Sequence, residues 1–242
     1  MRWRKGDIYR SRWHVIVTVL LVLIPFLFLR VFSRLAVLAQ VTLWSDIVLS
    51  GGRLLVAYII AMLVAWSAAV LFYRGRRATI ALPFFDVLQS FPTFAALPLA
   101  TIVWGASSFT VIFFLTVQVI WPMFFSIISS LKLMNREWEE AAHMAGLHGW
   151  QYLTRFILPI TIPGLITGSI IGLGEGWEAL VATEIIVGLP QGLGGFFQMF
   201  SANPTVTTLG IFALLSVIFS INKLLWLPLL EWSHRLIGTT TT

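Results

Sequence analysis

Four carboxylates in this 242-residue chain sit inside long apolar runs: Asp86 in one, and Glu175, Glu178 and Glu184 in another. An ionisable side chain at membrane depth costs about 2.5–3.5 kcal/mol on insertion scales, and such groups are kept at solute or proton pathways or in buried pairs. On an ideal helix Glu175 and Glu178 stand about 60° apart, whereas Glu175 and Glu184 point about 180° apart. One face cannot hold all three. Glu175 and Glu178 are therefore expected at a pathway or gate, joined from the other run by Asp86 and Gln89. Glu184 is carried in the same set, with a structural hydrogen bond as its competing role. For Glu175 and Glu178 the competing reading is pairing with Arg53 or Lys223, or a neutral state in a packed interface.

Enzyme chemistry finds few parts. His14, His143, His148 and His234 are scattered, with no His-Glu-x-x-His spacing for a metal. There is no Gly-x-Ser-x-Gly elbow. No Gly-rich loop ends in Gly-Lys-Ser/Thr, so ATP would be held by another chain. The absence of Cys excludes disulfides and thiolate metal sites. No catalytic, metal or cofactor site is expected.

These acids must be positioned by membrane spans. The chain is 58% hydrophobic and 11% charged, with a mean hydropathy of +0.91; a soluble domain carries about 25% charged residues. Eleven Trp and nineteen Phe suit bilayer interfaces. A net charge of +6 could suggest nucleic acid, but its placement argues for topology. Arg2, Arg4, Lys5, Arg10, Arg12, Arg74, Arg76, Arg77, Lys132, Arg136, Arg155 and Arg235 fall in every second connection, which marks those connections as cytosolic. With about 20 apolar residues per span, six spans are expected: His14 to Phe32, Leu49 to Tyr73, Ile80 to Trp104, Phe109 to Leu131, Ile162 to Leu189, and Thr207 to Leu230. The first run is expected to be a span rather than a cleaved leader. Both termini are then cytosolic, and Val31 to Trp44, Gly105 to Ser108 and Pro190 to Pro204 face outside. The fold class is an all-α membrane protein forming one domain, 1–242.

Two spans carry marks of their own. Pro83, Pro92 and Pro98 should kink or unwind the third, and freed carbonyls at membrane depth favour a span facing a pathway or an interface. Gly164, Gly168, Gly172 and Gly176 form a ridge at steps of four in the fifth, suited to close helix packing. With Gly174 added, the 172–176 stretch should be locally weak.

Between the fourth and fifth spans lies a polar island, Asn135 to Arg155. A helix from about Arg136 puts Trp138, Ala141, Ala142 and Ala145 on one stripe, and Gly146 can end it in the left-handed conformation. A second short helix, Trp150 to Ile157, is expected to stop at Pro159. The small-residue stripe suits docking into a groove of another protein.

Glu140-Ala141-Ala142, Gly146 and Phe156-Ile157-Leu158-Pro159 resemble the coupling loop of permease subunits of bacterial ABC importers, with Phe where Ile is usual. Leu82-Pro83, Phe91-Pro92, Ala96-Leu97-Pro98-Leu99 and Ala182-Thr183-Glu184-Ile185 are most similar to the nitrate/sulfonate/taurine group. The likeness covers residues 43–236, leaving 1–42 as a basic segment and first helix. It implies a type I importer permease whose coupling contacts would be carried by Glu139, Glu140, Ala141, Ala142, Gly146, Leu147, Leu158 and Pro159. It also implies two ATP-binding subunits that hold the ATP and Mg, a second permease copy or paralogue, an extracytoplasmic binding protein, membrane lipid, and no nucleic acid. The cargo would be a nitrate-, sulfonate-, taurine- or bicarbonate-like solute or a small neutral organic molecule. Two ionised glutamates in a narrow path would repel nitrate or a sulfonate, so either they are neutral or paired, or the cargo is neutral or cationic. The alternative is an ion-gradient-driven carrier using the intramembrane glutamates; the missing internal repeat and the hairpin speak against it.

Overall fold

The computed structural model describes residues 37–238, with positions 19 and 23, and side chains from 43 to 233. The first expected span, His14 to Phe32, lies outside the described residues apart from those two positions. Among the described residues every regular element is helical. Helix α1 (Val37–Phe72) begins earlier than expected, so the end of the supposed outer connection is already helix. The third span is two helices, α2 (Gly75–Gln89) and α3 (Thr93–Trp104), bent by 78° at Ser90–Pro92. Only Pro92 sits at the break; Pro83 and Pro98 lie within the two halves. Helix α4 (Ser108–Lys132) follows the turn at Gly105 and is capped by the Ser107 hydroxyl, which accepts from the Thr110 amide. After α5 (Arg136–Met144) the chain runs without a stop through α6 (Gly149–Tyr152), a π-helical turn at Leu153–Ile157, and α7 (Leu158–Val187). Helix α8 (Leu193–Met199) occupies what was expected to be an irregular Gly-rich loop. Helix α9 (Pro204–Ile221), a second π-helical turn at Asn222–Trp226 and α10 (Leu227–Gly238) complete the chain.

Four helical runs among the described residues are long and apolar enough to cross a membrane, and the bent α2–α3 pair, counted as one span, makes a fifth. Of the six expected spans, five are thus accounted for by described residues.

Pro159 does not end its helix, which corrects the expectation of a free second short helix. Both π-helical turns finish two residues before a proline, Pro159 and Pro228. Proline has no amide to donate and presses on the carbonyl four residues back. Widening the preceding turn relieves that clash and keeps the helix continuous. The result is a 39-residue helical run, Gly149–Val187. At 1.5 Å per residue it is about 58 Å long, nearly twice a ~30 Å hydrocarbon core, so its hairpin end projects beyond the membrane.

Helix α4 is gripped from both sides. From α1 come Ala57, Ala61, Ala65 and Ala69, all fully buried. From α7 comes the glycine ridge. A Cβ on Gly168 would lie 2.6 Å from the Met123 Cα, and one on Gly164 would lie 2.5 Å from the Ser126 carbonyl oxygen. Such backbone-to-backbone approach is available only to glycine. The 172–176 stretch is unbroken helix, because Gly172 and Gly176 are buried against α4 and α1 and packing replaces what propensity lacks.

Candidate functional site

The first helix of the hairpin is closed at both ends. Asn135 caps α5 with its side-chain oxygen, and at the other end Gly146 sits at φ +78°. The Leu147 amide donates to the Ala142 carbonyl (3.1 Å) and the Gly146 amide to that of His143 (3.0 Å), a Schellman closure. The expected alanine stripe is divided: Ala142 is buried against its own chain, whereas Trp138, Ala141 and Ala145 are exposed. Met144 is 83% exposed and Trp150 75%. Glu140 lies on that exposed side and accepts from Arg136 at 2.9 Å. Leu158 and Pro159 are also exposed, and Leu147 is half-buried.

Glu139 points the other way. It accepts from the Arg74 guanidinium, at the entry to α2, and from the Tyr152 hydroxyl at 3.2 Å. His143 stacks on Tyr152 with ring centroids 5.1 Å apart and an interplanar angle of 9°. The hydrogen bond from Arg74 is the main reason the Glu139 carboxyl is held below its ordinary 4.5, against partial burial. Burial, followed by the neighbouring Tyr73 and Glu139, pushes the Tyr152 phenol well above its ordinary value, so it stays protonated as a donor. Glu139, expected among the outward coupling residues, thus ties the hairpin to its own bundle. Arg74 and Tyr152 escaped the sequence reading, although Arg74 stood in a conspicuous basic cluster.

The second feature is a cavity of about 510 Å³ between α2, α4 and α7. Asp86, Gln89 and Glu175 line it, together with Gln118, Ser126 and Ser129 of α4. Gln89 donates to Asp86 Oδ1 at 2.7 Å, and Gln118 accepts from Thr93 at 3.1 Å. Three helices place these groups at one depth. Asp86 is eleven residues from the start of α2, Gln118 ten from the start of α4, and Glu175 twelve from the end of α7. Each is therefore about 15–18 Å along its helix from the end named, a distance comparable with half of a ~30 Å hydrocarbon core. Asp86 and Glu175 are exposed, and lipid cannot cover a carboxylate face at that depth. Glu178 is exposed too but lies outside the cavity lining. Gln118 was not among the expected residues, because a lone neutral amide in an apolar run, with no acid beside it as Gln89 has in Asp86, carries no charge cost that marks it.

Glu184 is fully buried at the opposite end from the hairpin. It accepts from Arg53 at 2.5 Å, from the Ser50 hydroxyl at 2.8 and 2.9 Å, and from the Gly194 amide at 2.9 Å. Arg53 also reaches Ser108 and the Gln191 carbonyl, and Asp46 accepts from the Gly192 amide. This network binds α1, α4, α7 and α8 into one corner. Glu184 therefore lies outside the lining of the cavity that holds Asp86 and Glu175, its surroundings supply the hydrogen bonds of its structural reading, and Arg53 pairs with Glu184 rather than with Glu175 or Glu178.

A bundle of long apolar helices, a projecting hairpin and a polar cavity at mid-depth define a membrane transport subunit. Residues 57–225 match the family described as binding-protein-dependent transport system inner membrane component. The chain belongs to that family: it is a multi-pass inner-membrane permease subunit of an ABC importer. It is 31% identical over 198 residues to the taurine transport system permease protein TauC of Escherichia coli, covering 81% of this chain and 70% of that one. It is 29% identical over 136 residues to the nitrate import permease protein NrtB of a Synechocystis species, covering 56% of this chain and 48% of that one. To the bicarbonate transport system permease protein CmpB of Synechococcus elongatus the figures are 24% over 145 residues, 60% and 52%. The chain thus spans about half the length of the nitrate and bicarbonate relatives.

Proposed function

We propose that the hairpin is the seat of a separate ATP-binding subunit and that the mid-depth cavity is one wall of the solute path. The observation that carries this is the hairpin's two-sided build. Its inner face is tied down through Glu139, Arg74 and Tyr152, while Trp138, Met144 and Trp150 stand uncovered on its outer face. Apolar side chains grouped on a water-facing hairpin mark a contact surface.

Force applied to that surface has a stiff route inward. The hairpin moves with α6, which continues through the π-helical turn into α7. Helix α7 carries Glu175 to the cavity and grips α4 through its glycines. In this reading ATP and Mg belong to two partner subunits, a second permease copy or paralogue supplies the facing wall, and an external binding protein delivers the solute. Both termini and the hairpin lie in the cytosol, as the basic residues near the hairpin support. Cargo of the general size of taurine, nitrate or bicarbonate fits the cavity volume.

The test is co-purification with an ABC ATP-binding subunit from membranes. Glu140→Arg and Ala141→Arg, both on the exposed face, should abolish pairing while leaving membrane insertion intact. Retained pairing in both variants would show that the subunit seats elsewhere. A gradient-driven carrier predicts instead that the purified chain alone accumulates solute under an ion gradient.

A further inference from the structure

We propose that the cavity holds its solute by an amino group, so that the cargo is a small organic ammonium or zwitterion and not an inorganic oxyanion. The inference rests on reading the cavity as the solute path. Asp86 and Glu175 reach it from separate helices, and among the described residues its lining contains no Lys, Arg or His. An oxyanion entering would meet two carboxylates without a counter-charge, in surroundings that screen repulsion far less than water does.

The remaining lining suits a donor-rich guest. Gln89 donates to one oxygen of Asp86 and so fixes that carboxylate with its other oxygen available. Ser129 gives its proton to the Phe125 carbonyl at 2.9 Å, which leaves its oxygen as an acceptor. An ammonium group brings three donors and no acceptor, the complement of such a set. Trp121 and Phe125 add aromatic surface to the same wall, a surface that attracts cations through its faces.

One local feature could have favoured an anion. The break between α2 and α3 places a half-helix start at membrane depth, and such starts bind anionic solute groups in transporters. Here the Thr93 and Ala95 amides donate to the Phe91 and Pro92 carbonyls, at 2.8 and 3.0 Å. Those donors are used within the break. The Gln118 amide group remains as a neutral donor, enough for the acid end of a zwitterion.

The experiment uses the full chain in nanodiscs, with and without the ATP-binding subunit and without any binding protein. Radiolabelled ethanolamine is the probe, and taurine, isethionate and nitrate are the competitors. Isethionate differs from taurine only in carrying a hydroxyl where taurine carries the ammonium. Taurine should compete at least tenfold more strongly than isethionate or nitrate. The double substitution Asp86→Asn with Glu175→Gln should weaken ethanolamine binding at least tenfold and erase that gap, with co-purification with the ATP-binding subunit and an unchanged thermal unfolding midpoint as evidence of folding. Equal competition by isethionate or nitrate, no ethanolamine binding, or an unchanged preference in the double variant would each overturn the proposal. Failure of the transport reading looks different: no ATP-driven uptake of any solute by the complete assembly.

Discussion

Both ends of the bundle are fastened by an arginine–glutamate pair, but the two pairs live in different solvents. Far from the hairpin, Arg53 and Glu184 are 8% and 0% exposed; at the hairpin, Arg74 and Glu139 are 54% and 19% exposed. The buried pair is enclosed by Ser50, Ser108, the Gln191 carbonyl and the Gly194 amide. Removing one partner there strands a charge without water. The half-exposed pair can open and let water replace either side at small cost. A corner built like the first holds its shape, whereas a joint built like the second can be reset on every cycle.

The largest expected effect follows from breaking the buried end. Glu184→Ala should destabilise the protein by about 3–5 kcal/mol, the range for leaving one member of a buried pair alone. Thermal unfolding in detergent, followed by loss of monodisperse protein, should show it. The corresponding Glu139→Ala should cost no more than about 1 kcal/mol, as exposed pairs do. Equal losses at the two ends would dissolve the contrast.

A middle-sized effect separates packing glycines from idle ones. Gly168→Leu drives a side chain into the α4 backbone and should cost about 1–3 kcal/mol or more by overpacking. Gly174, with nothing within 4 Å of its would-be Cβ, should accept Ala with a gain of about 0.5–1 kcal/mol in helix stability. The same unfolding assay ranks them, and a destabilising Gly174→Ala would contradict the assignment.

The smallest effect on stability should be the largest on coupling. Glu139→Gln keeps the shape and weakens the tie to Arg74, so ATP hydrolysed per solute moved should rise while folding barely changes. The pH dependence has a definite sign. The Glu139 carboxyl is held below its ordinary 4.5, so its contribution is complete above about that pH and is lost as pH falls through the lower folded value. Coupling measured between pH 6 and 8 should show no titration from this pair.

Much of this was legible in the residues. The hairpin's first helix, its end at Gly146 and the broken third span follow from periodicity, left-handed glycine and proline chemistry, all local effects, whereas the Asn135 cap is seen in the structure. The continuity through Pro159 was not legible, because a π-helical turn is a cooperative response of the backbone. The split of the alanine stripe depends on which face α5 turns to its own bundle, a tertiary fact. For Glu184 a structural hydrogen bond was one of two readings, but its partner was hidden: sequence shows that a charge is in the membrane and not that Arg53, 131 positions away, comes to meet it. The glycine ridge was readable as close packing, though not that its partner is α4.

The chain contains no Cys, so a single cysteine at Ala145 reports on the hairpin's outer face alone. Cross-linking it in membrane vesicles to a cysteine in the surface cleft of the ATP-binding subunit tests the account most directly. The account predicts a cross-link whose yield changes between the ATP-bound and nucleotide-free states. A hairpin that stays unlinked in every nucleotide state, while the assembly still transports, would contradict it.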